Sequence, residues 1–112
     1  MKKFFAVYLA PIAVIEEWRT KTKPEDMKAS MEEWTKWMKD HKKIFADTGA
    51  PLGKTKRVSA KDVADTKNDM TGYSILEAES HEAAAKSLEG HPHLQIPGAS
   101  IELMEIISMP GM

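Results

Sequence analysis

The sequence predicts an α+β fold, and three observations carry that prediction. A run of aromatic and β-branched residues opens the chain at residues 4–9, as is typical of a buried strand. From Pro24 onward, apolar residues recur with the spacing of an amphipathic helix. Two later stretches, 70–79 and 100–108, alternate between apolar and polar residues as strands do. A chain of 112 residues builds one hydrophobic core, so we expect a single domain over residues 1–112.

The first predicted strand, residues 4–9, has to be distinguished from a secretory signal. Two lysines precede the apolar run, which is how a signal peptide begins. However, Pro11 interrupts the run, and residues 16–18 are two glutamates and a tryptophan where a signal peptidase prefers small residues. We therefore interpret residues 4–9 as a strand. The stretch 11–23 that follows is ambiguous, and Pro11 suits the first turn of a short helix there.

The longest predicted helix begins at Pro24, which two acidic residues follow in a first turn that favours negative charge. Its apolar stripe, which includes one histidine, is Met27, Met31, Trp34, Met38, His41 and Phe45, with Trp37 and Ile44 widening it. We predict that the helix ends at Thr48 and Gly49, because glycine adopts the left-handed conformation of a helix C-cap. Pro51 then prevents continuation.

The second half of the chain completes the fold. Residues 52–59 are predicted to form an edge strand and 60–69 a polar connection, before the strand at 70–79. A helix over 80–90 follows, with a serine N-cap and a glycine stop, and the last strand is 100–108. The order β-α-β-β-α-β is that of the ferredoxin-like fold, in which both helices pack on one face of an antiparallel sheet.

The sheet face without helices is predicted to carry an apolar surface. Its expected members are Met104, Ile106, Leu76 and either Phe4 or Phe5. Such an area is larger than a soluble monomer leaves exposed. Two sheets that dock face to face across a two-fold axis would cover it, so we predict a homodimer that forms a closed α+β barrel.

The net charge and the cysteine content indicate which classes of partner the protein binds and in which cellular compartment it functions. Sixteen basic and seventeen acidic residues give a net charge of −1, which disfavours nucleic acid as a partner. The chain has no cysteine, so disulfides and thiolate chemistry are excluded. That composition fits a reducing compartment, and we expect a cytoplasmic protein. No apolar stretch is long enough to span a bilayer, so we expect no membrane partner.

The segment 71–106, TGYSILEAESHEAAAKSLEGHPHLQIPGASIELMEI, resembles the YCII-related family of small dimeric α+β barrels. The features that match are Gly72-Tyr73 and Glu77-Ala78 at the two ends of a strand, the alanine-rich helix, the His91-Pro92-His93 turn and the strand GASIELMEI. They cover about a third of the chain. The resemblance implies a small-molecule-binding barrel, because one lineage of the family is linked to dehydrochlorination of hydroxylated aromatics.

The chain departs from this family at its expected reacting residues. Characterised relatives are proposed to use a dyad of histidine and aspartate near the barrel mouth. Where those relatives carry an aspartate, a proline and a phenylalanine after the second helix, this chain has His91, Pro92 and His93. The resemblance therefore implies that His91 holds the position of the acidic partner, and that any chemistry uses a histidine instead of the carboxylate.

Two histidines, His41 and His91, are the candidate catalytic residues. His41 lies in the apolar stripe of the long helix, so its imidazole is expected to face the sheet, where it can abstract a proton from a bound molecule. The alternative is a core histidine whose ring N–H donates to a backbone carbonyl. His91 and His93 flank a proline after a helix stop, so they either finish a turn or present two imidazoles to a cavity.

Four further side chains are candidates for binding a ligand, namely Trp37, Tyr73, Ser74 and His93. Trp37, Tyr73 and His93 are predicted to line a pocket between the long helix and the sheet together with the two catalytic candidates. Ser74 lies on a strand of the sheet, from which its hydroxyl could reach a pocket. The alternative for the aromatic side chains is core packing. Only two imidazoles are local and no HExxH pattern or carboxylate triad is visible, so we expect neither a metal nor another cofactor.

Two classes of function stay open at this level. The first is a cofactor-free enzyme that performs a proton transfer, elimination or isomerisation on a small aromatic or carbonyl compound, with a histidine base. The second is a non-catalytic module, either a ligand sensor or a protein that acts through its interface. The sequence alone does not decide whether the protein is an enzyme.

Overall fold

The structure is a computed structural model, and it describes residues 1–110. The strands are β1 (Lys2–Leu9), β2 (Phe45–Pro51), β3 (Thr55–Val58), β4 (Val63–Thr66), β5 (Met70–Ala78) and β6 (Ser100–Glu105). The helices are α1 (Ile12–Lys21), α2 (Pro24–Asp40) and α3 (His81–Ser87), with short 3-10 turns at Lys42–Ile44 and Pro92–Gln95. An antiparallel sheet has the strand order β2-β5-β1-β6, with β1 and β5 in its middle. The predicted α+β fold, ferredoxin-like with an antiparallel sheet, is confirmed.

The core lies between this sheet and the helices α2 and α3. Phe4 of β1 pairs with Leu76 of β5, and both side chains are fully buried on the helix-covered face. Ala84 and Leu88, from α3 and its C-cap, complete the buried cluster, and Trp37 of α2 packs against it. The period of two along each strand therefore divides the sheet into a core face and an opposite face.

The opposite, helix-free face carries Phe5, Tyr73 and Met104 on three neighbouring strands. Met104 is 44% exposed, so the face is apolar and partly open in the monomer. The placement of Leu76 on this face was wrong, because Leu76 is in register with Phe4 and shares its buried side. Of the two phenylalanines, Phe5 is the one on the helix-free face.

The predicted end of the long helix at Thr48 and Gly49 was also wrong, because α2 ends at Asp40. A 3-10 turn follows, and Phe45–Pro51 then forms edge strand β2 against β5. The helical spacing of apolar residues continues into this strand. However, the backbone of these residues forms hydrogen bonds with the edge of β5, which would be unpaired if the helix were longer. Gly49 is left-handed as predicted, with φ of 76°, but in an irregularity of the strand.

The segments 52–59 and 60–69 were predicted as an edge strand and a polar connection, and both assignments need correction. Strand β3 lies inside the first segment and strand β4 inside the second, and they pair with each other as a separate two-stranded sheet. Their turn is closed by Ser59, whose backbone N–H donates to the Asp62 carbonyl. Strand β2, not 52–59, is therefore the fourth strand of the main sheet.

The remaining boundaries differ less from the prediction. The ambiguous stretch after Pro11 does form a helix, α1, which buries none of its residues. Helix α3 has the predicted serine N-cap, because Ser80 Oγ accepts the Ala83 N–H at 3.1 Å. Strand β6 ends at Glu105, short of the predicted residue 108. Within residues 1–110, no helix has the length and apolar character needed to cross a membrane.

Candidate functional site

Five aromatic side chains meet between α2 and the core face of the sheet, and we call them the aromatic cluster: Tyr8, Trp34, Trp37, His91 and His93. His91 is at the centre. Its ring centroid lies 4.3 Å from that of Trp37, 4.5 Å from that of Trp34 and 5.0 Å from that of Tyr8. With only 1% of its surface exposed, this imidazole is enclosed by rings.

Local sequence explains how these side chains come together. Trp34 and Trp37 are three residues apart on α2, so they lie on the same side of the helix. Tyr8 belongs to the core face of β1 because it shares the strand period of Phe4. Gly90 ends the α3 region in the left-handed conformation, with φ of 76°, and turns the chain so that the following residues pack under α2.

Only one of the two ring nitrogens of His91 forms a hydrogen bond within residues 1–110. Nδ1 accepts the backbone N–H of His93 at 3.0 Å. Nε2 is buried and has no hydrogen-bond partner among the residues that the structure describes. Burial first, and the neighbouring charges of His93 and His41 next, lower the pKa of His91 from 6.5 to about 4. The imidazole is therefore neutral at pH 7, with one nitrogen left without a partner.

His93 has a different environment, although it is equally buried. Its Nε2–H donates to the carbonyl oxygen of Leu9 at 2.8 Å, and this bond fastens the turn to the end of β1. Burial lowers the pKa of His93, against a smaller raising effect of the Leu9 and Ser100 carbonyls. This side chain holds the turn in place, so a direct ligand contact by its Nε2 would require the bond to Leu9 to break.

His41 lies at the C-cap of α2 and not inside the helix as predicted. It is half-buried and stacks on Trp37, with ring centroids 4.0 Å apart and an interplanar angle of 15°. Its Nδ1–H donates to the Trp37 carbonyl oxygen at 2.8 Å, because a carbonyl can only accept. Nε2 of neutral His41 consequently carries the lone pair, which is what a general base needs.

Ser74 is fully buried on the core face and engaged by two partners. Its Oγ–H donates to the Thr48 carbonyl at 2.7 Å, and the Tyr8 hydroxyl lies 2.7 Å from the same oxygen. Since a serine hydroxyl has one hydrogen, Tyr8 must be the donor toward Ser74. Burial raises the pKa of Tyr8, and the bond to Ser74 partly offsets that rise. The predicted ligand-binding hydroxyl of Ser74 therefore serves to connect strands in this structure.

Tyr73 does not join the other candidates, and its predicted position in the same pocket was wrong. Its side chain lies on the helix-free face, where it stacks on Phe5 with ring centroids 5.8 Å apart. Tyr73 and Ser74 are consecutive residues of β5, and successive side chains of a strand point to opposite faces. The two could not have lined one pocket on one face of the sheet.

The predicted pocket between α2 and the sheet is filled by the aromatic cluster itself. A cleft of about 320 Å³ lies instead at the base of the β3–β4 hairpin. A second one, of about 170 Å³, lies beside α3. Among residues 1–110, no group of three or more histidine, aspartate or glutamate side chains is arranged to hold a metal ion.

Tyr8 and Trp34 were not among the candidate site residues that the sequence predicted. Both rings contact His91 and His93. Two signals were available for them. Trp34 lies one helical turn before the candidate Trp37, and Tyr8 has the strand period of the core residue Phe4.

Comparison with known proteins finds similarity in structure and none in sequence. No family model matches the chain, and no curated protein matches it. Its structure is similar to that of a 5-chloro-2-hydroxyhydroquinone dehydrochlorinase, TftG, from Burkholderia phenoliruptrix AC1100, solved in complex with 2,5-dihydroxybenzoquinone. The TM-score is 0.55 at 17% sequence identity, and the match covers 97% of this chain and 96% of that chain. At this identity the likeness shows a shared ferredoxin-like α+β fold, the fold that the YCII resemblance implied.

Proposed function

We propose that this protein binds a small, flat, oxygenated molecule at the aromatic cluster and catalyses a proton transfer, elimination or isomerisation on it without a cofactor. One observation carries the proposal, namely the buried and unpartnered Nε2 of His91. Buried polar atoms nearly always have a hydrogen-bond partner, and leaving one without a partner costs free energy. A ligand atom at this position would supply the missing partner.

His41 is the residue that we assign as the base. Its Nδ1–H donates to the Trp37 carbonyl, so its Nε2 lone pair is available to take a proton. The same Trp37 indole contacts both His41 and His91. A planar ring bound beside Trp37 would therefore be within reach of one nitrogen that accepts a proton and of one that contacts its oxygen.

A ligand must reach His91 through the rings that cover it. Trp34 and Trp37 are both half-buried, so each indole has one side toward solvent. Rotation of an indole side chain away from His91 would open a space with the shape of a flat ring. The structural relative TftG was solved with a dihydroxylated quinone, and the shared fold supports a ligand of that shape for this chain.

We further propose that the protein is a cytoplasmic homodimer, joined through its helix-free sheet face. The exposed apolar side chains there support this, with Met104 and Ile106 at 44% and 47% exposure. Replacement of Met104 by Glu should convert a dimer into a monomer in light scattering. A wild-type protein that is monomeric at high concentration would contradict the dimer.

A ligand screen tests the proposed site. Hydroxylated benzenes, quinones and enolic acids would be tested for a rise in Tm and for quenching of tryptophan fluorescence, with wild type and His91→Phe compared. His81→Gln is the matched control, because His81 donates to the Leu103 carbonyl and does not belong to the aromatic cluster. We expect wild type and the control to respond and His91→Phe to lose most of the response. Equal responses in all three proteins would exclude the site.

Catalysis is tested separately by exchange of a ligand C–H proton with deuterated solvent, followed by NMR. If His41 is the base, His41→Gln should bind the ligand and exchange its proton at the uncatalysed rate. The alternative function, a non-catalytic ligand sensor, is favoured by the closed packing around His91. It predicts binding with no accelerated exchange even in the wild-type protein.

A further inference from the structure

We propose that His91 is a fixed hydrogen-bond donor, which selects ligands that present an oxygen acceptor, and that the backbone N–H of His93 determines this role. The inference rests on the proposed function, because it concerns the same ligand. It reverses one expectation from the sequence, in which His91 was a candidate base.

The first step is the position of the hydrogen on the ring. A neutral imidazole carries one N–H, and the other nitrogen is an acceptor. Nδ1 of His91 accepts the His93 N–H at 3.0 Å, so the hydrogen must be on Nε2. The nitrogen without a partner is therefore a donor. A proton cannot be abstracted by a nitrogen that already carries one, so His91 does not serve as the base through Nε2.

The second step is that the structure holds this arrangement in place. Pro92 lies between the two histidines and fixes one backbone angle of the turn. The His93 side chain is bonded to the Leu9 carbonyl, so the N–H that His91 accepts is kept in position. Trp34 and Trp37 enclose the imidazole and oppose its rotation. If the hydrogen were on Nδ1 instead, two donors would face each other, namely Nδ1–H and the backbone N–H of His93.

The third step is the chemistry that a buried donor recognises. A carbonyl, phenolate, enolate or carboxylate oxygen can accept from Nε2–H, whereas an amino group in the same place brings a second donor. Because His91 Nε2 is buried, a mismatch leaves two polar groups unsatisfied and is costly. We expect oxygen ligands to bind roughly ten- to a hundredfold more tightly than amino analogues of the same shape.

The tautomer is measured directly on the free protein. In wild-type protein with nitrogen-15 in its histidines, two-bond proton–nitrogen correlation spectra distinguish a nitrogen that carries hydrogen from one that does not. At pH 7.5 we expect the His91 Nε2 to carry the hydrogen and Nδ1 to be bare. A spectrum with hydrogen on Nδ1 would overturn the inference, whatever the protein binds.

Ligand selection is then tested with matched probes, 1,4-dihydroxybenzene and 2,5-dihydroxybenzoquinone against 1,4-diaminobenzene. His91→Gln keeps a donor at the same distance from the backbone, while His91→Phe keeps a ring of similar size without one. We expect wild type and His91→Gln to prefer the oxygen probes and His91→Phe to lose that preference. A preference that persists in His91→Phe would refute the donor role. Absence of binding by every probe would instead count against the proposed function, and the spectra of the free protein would still decide the tautomer.

Discussion

The Tyr8 hydroxyl lies 2.7 Å from Ser74 Oγ, and through this contact the side chains of the two central strands are joined inside the core. Ser74 passes the interaction on to the Thr48 carbonyl at the edge strand β2. Three strands are thus connected by two hydrogen bonds, of which the one between Tyr8 and Ser74 is buried. Both hydroxyls have partners, which distinguishes them from the unpartnered Nε2 of His91 a few ångströms away in the same cluster.

This connection predicts unequal effects of two truncations. Ser74→Ala leaves both the Tyr8 hydroxyl and the Thr48 carbonyl without a partner, so we expect the free energy of unfolding to fall by about 2–3 kcal/mol. Tyr8→Phe leaves Ser74 bonded to Thr48 and should cost about 1 kcal/mol. Urea denaturation of both variants and of the double variant provides the measurement. Strictly additive losses would mean that the two hydroxyls do not interact.

Two glycines with the same backbone angle provide a matched pair. Gly49 and Gly90 both have φ of 76°, so alanine is strained at either position. A methyl group on Gly49 would also overlap the Tyr73 carbonyl, whereas one on Gly90 would meet no atom within 4 Å. We expect Gly90→Ala to cost about 1 kcal/mol and Gly49→Ala several times more, on the order of 4 kcal/mol. Thermal unfolding measures both, and similar losses would contradict the close approach of Gly49 to β5.

Alternation along strands was the part of the fold that the sequence predicted best. The residues of β5 do alternate, but its two sides were assigned the wrong way round. Leu76 was expected on the helix-free face and is buried, and Tyr73 was expected beside the long helix and lies on the opposite face. The helical stripe of α2 was correct for Trp34 and Trp37, which face the core, but Met31 of the same stripe is 68% exposed. A local period shows which residues share one face of a strand or helix, but it does not show which other element covers that face.

The end of α2 could not be predicted, because pairing with a strand distant in the sequence decides it. His41 and Phe45 continue the helical spacing, but Phe45 pairs with β5 and is therefore part of a strand. The unpartnered Nε2 of His91 depends on which nitrogen meets the His93 N–H, and residue order carries no information on ring orientation. What the sequence did contain was the unusual pair of imidazoles around Pro92.

The two faces of β1 predict different responses to the same truncation. Phe4 is fully buried in the core, so Phe4→Ala should lower the free energy of unfolding by about 3–5 kcal/mol at any protein concentration. Phe5 lies on the helix-free face. If that face joins two copies, the loss in Phe5→Ala should depend on protein concentration, because dissociation is coupled to unfolding. Chemical denaturation of wild type and variant at two protein concentrations a hundredfold apart tests this. A stability loss in Phe5→Ala that is the same at both concentrations would argue against the interface.

The pKa of His91 predicts a loss of stability in mild acid. The folded-state pKa is about 4 and the ordinary value is 6.5, so the unfolded chain binds more protons between these two pH values. The contribution of His91 to stability is therefore complete above pH 6.5 and is lost as the pH falls toward 4, by up to about 3 kcal/mol. The lowered pKa of His93 acts in the same direction. Urea denaturation in steps between pH 7.5 and about pH 4 follows the loss.

His91→Asn is the variant that isolates this effect. An asparagine oxygen can still accept the His93 N–H at the start of the turn, but the side chain does not titrate. The variant should be less stable than wild type at pH 7.5, because a smaller side chain leaves space between Trp34 and Trp37. Its stability should also change less with pH, so that the two curves converge toward pH 4. Parallel curves over this range would show that His91 titrates alike in the folded and unfolded chain, and hence that its imidazole is not enclosed.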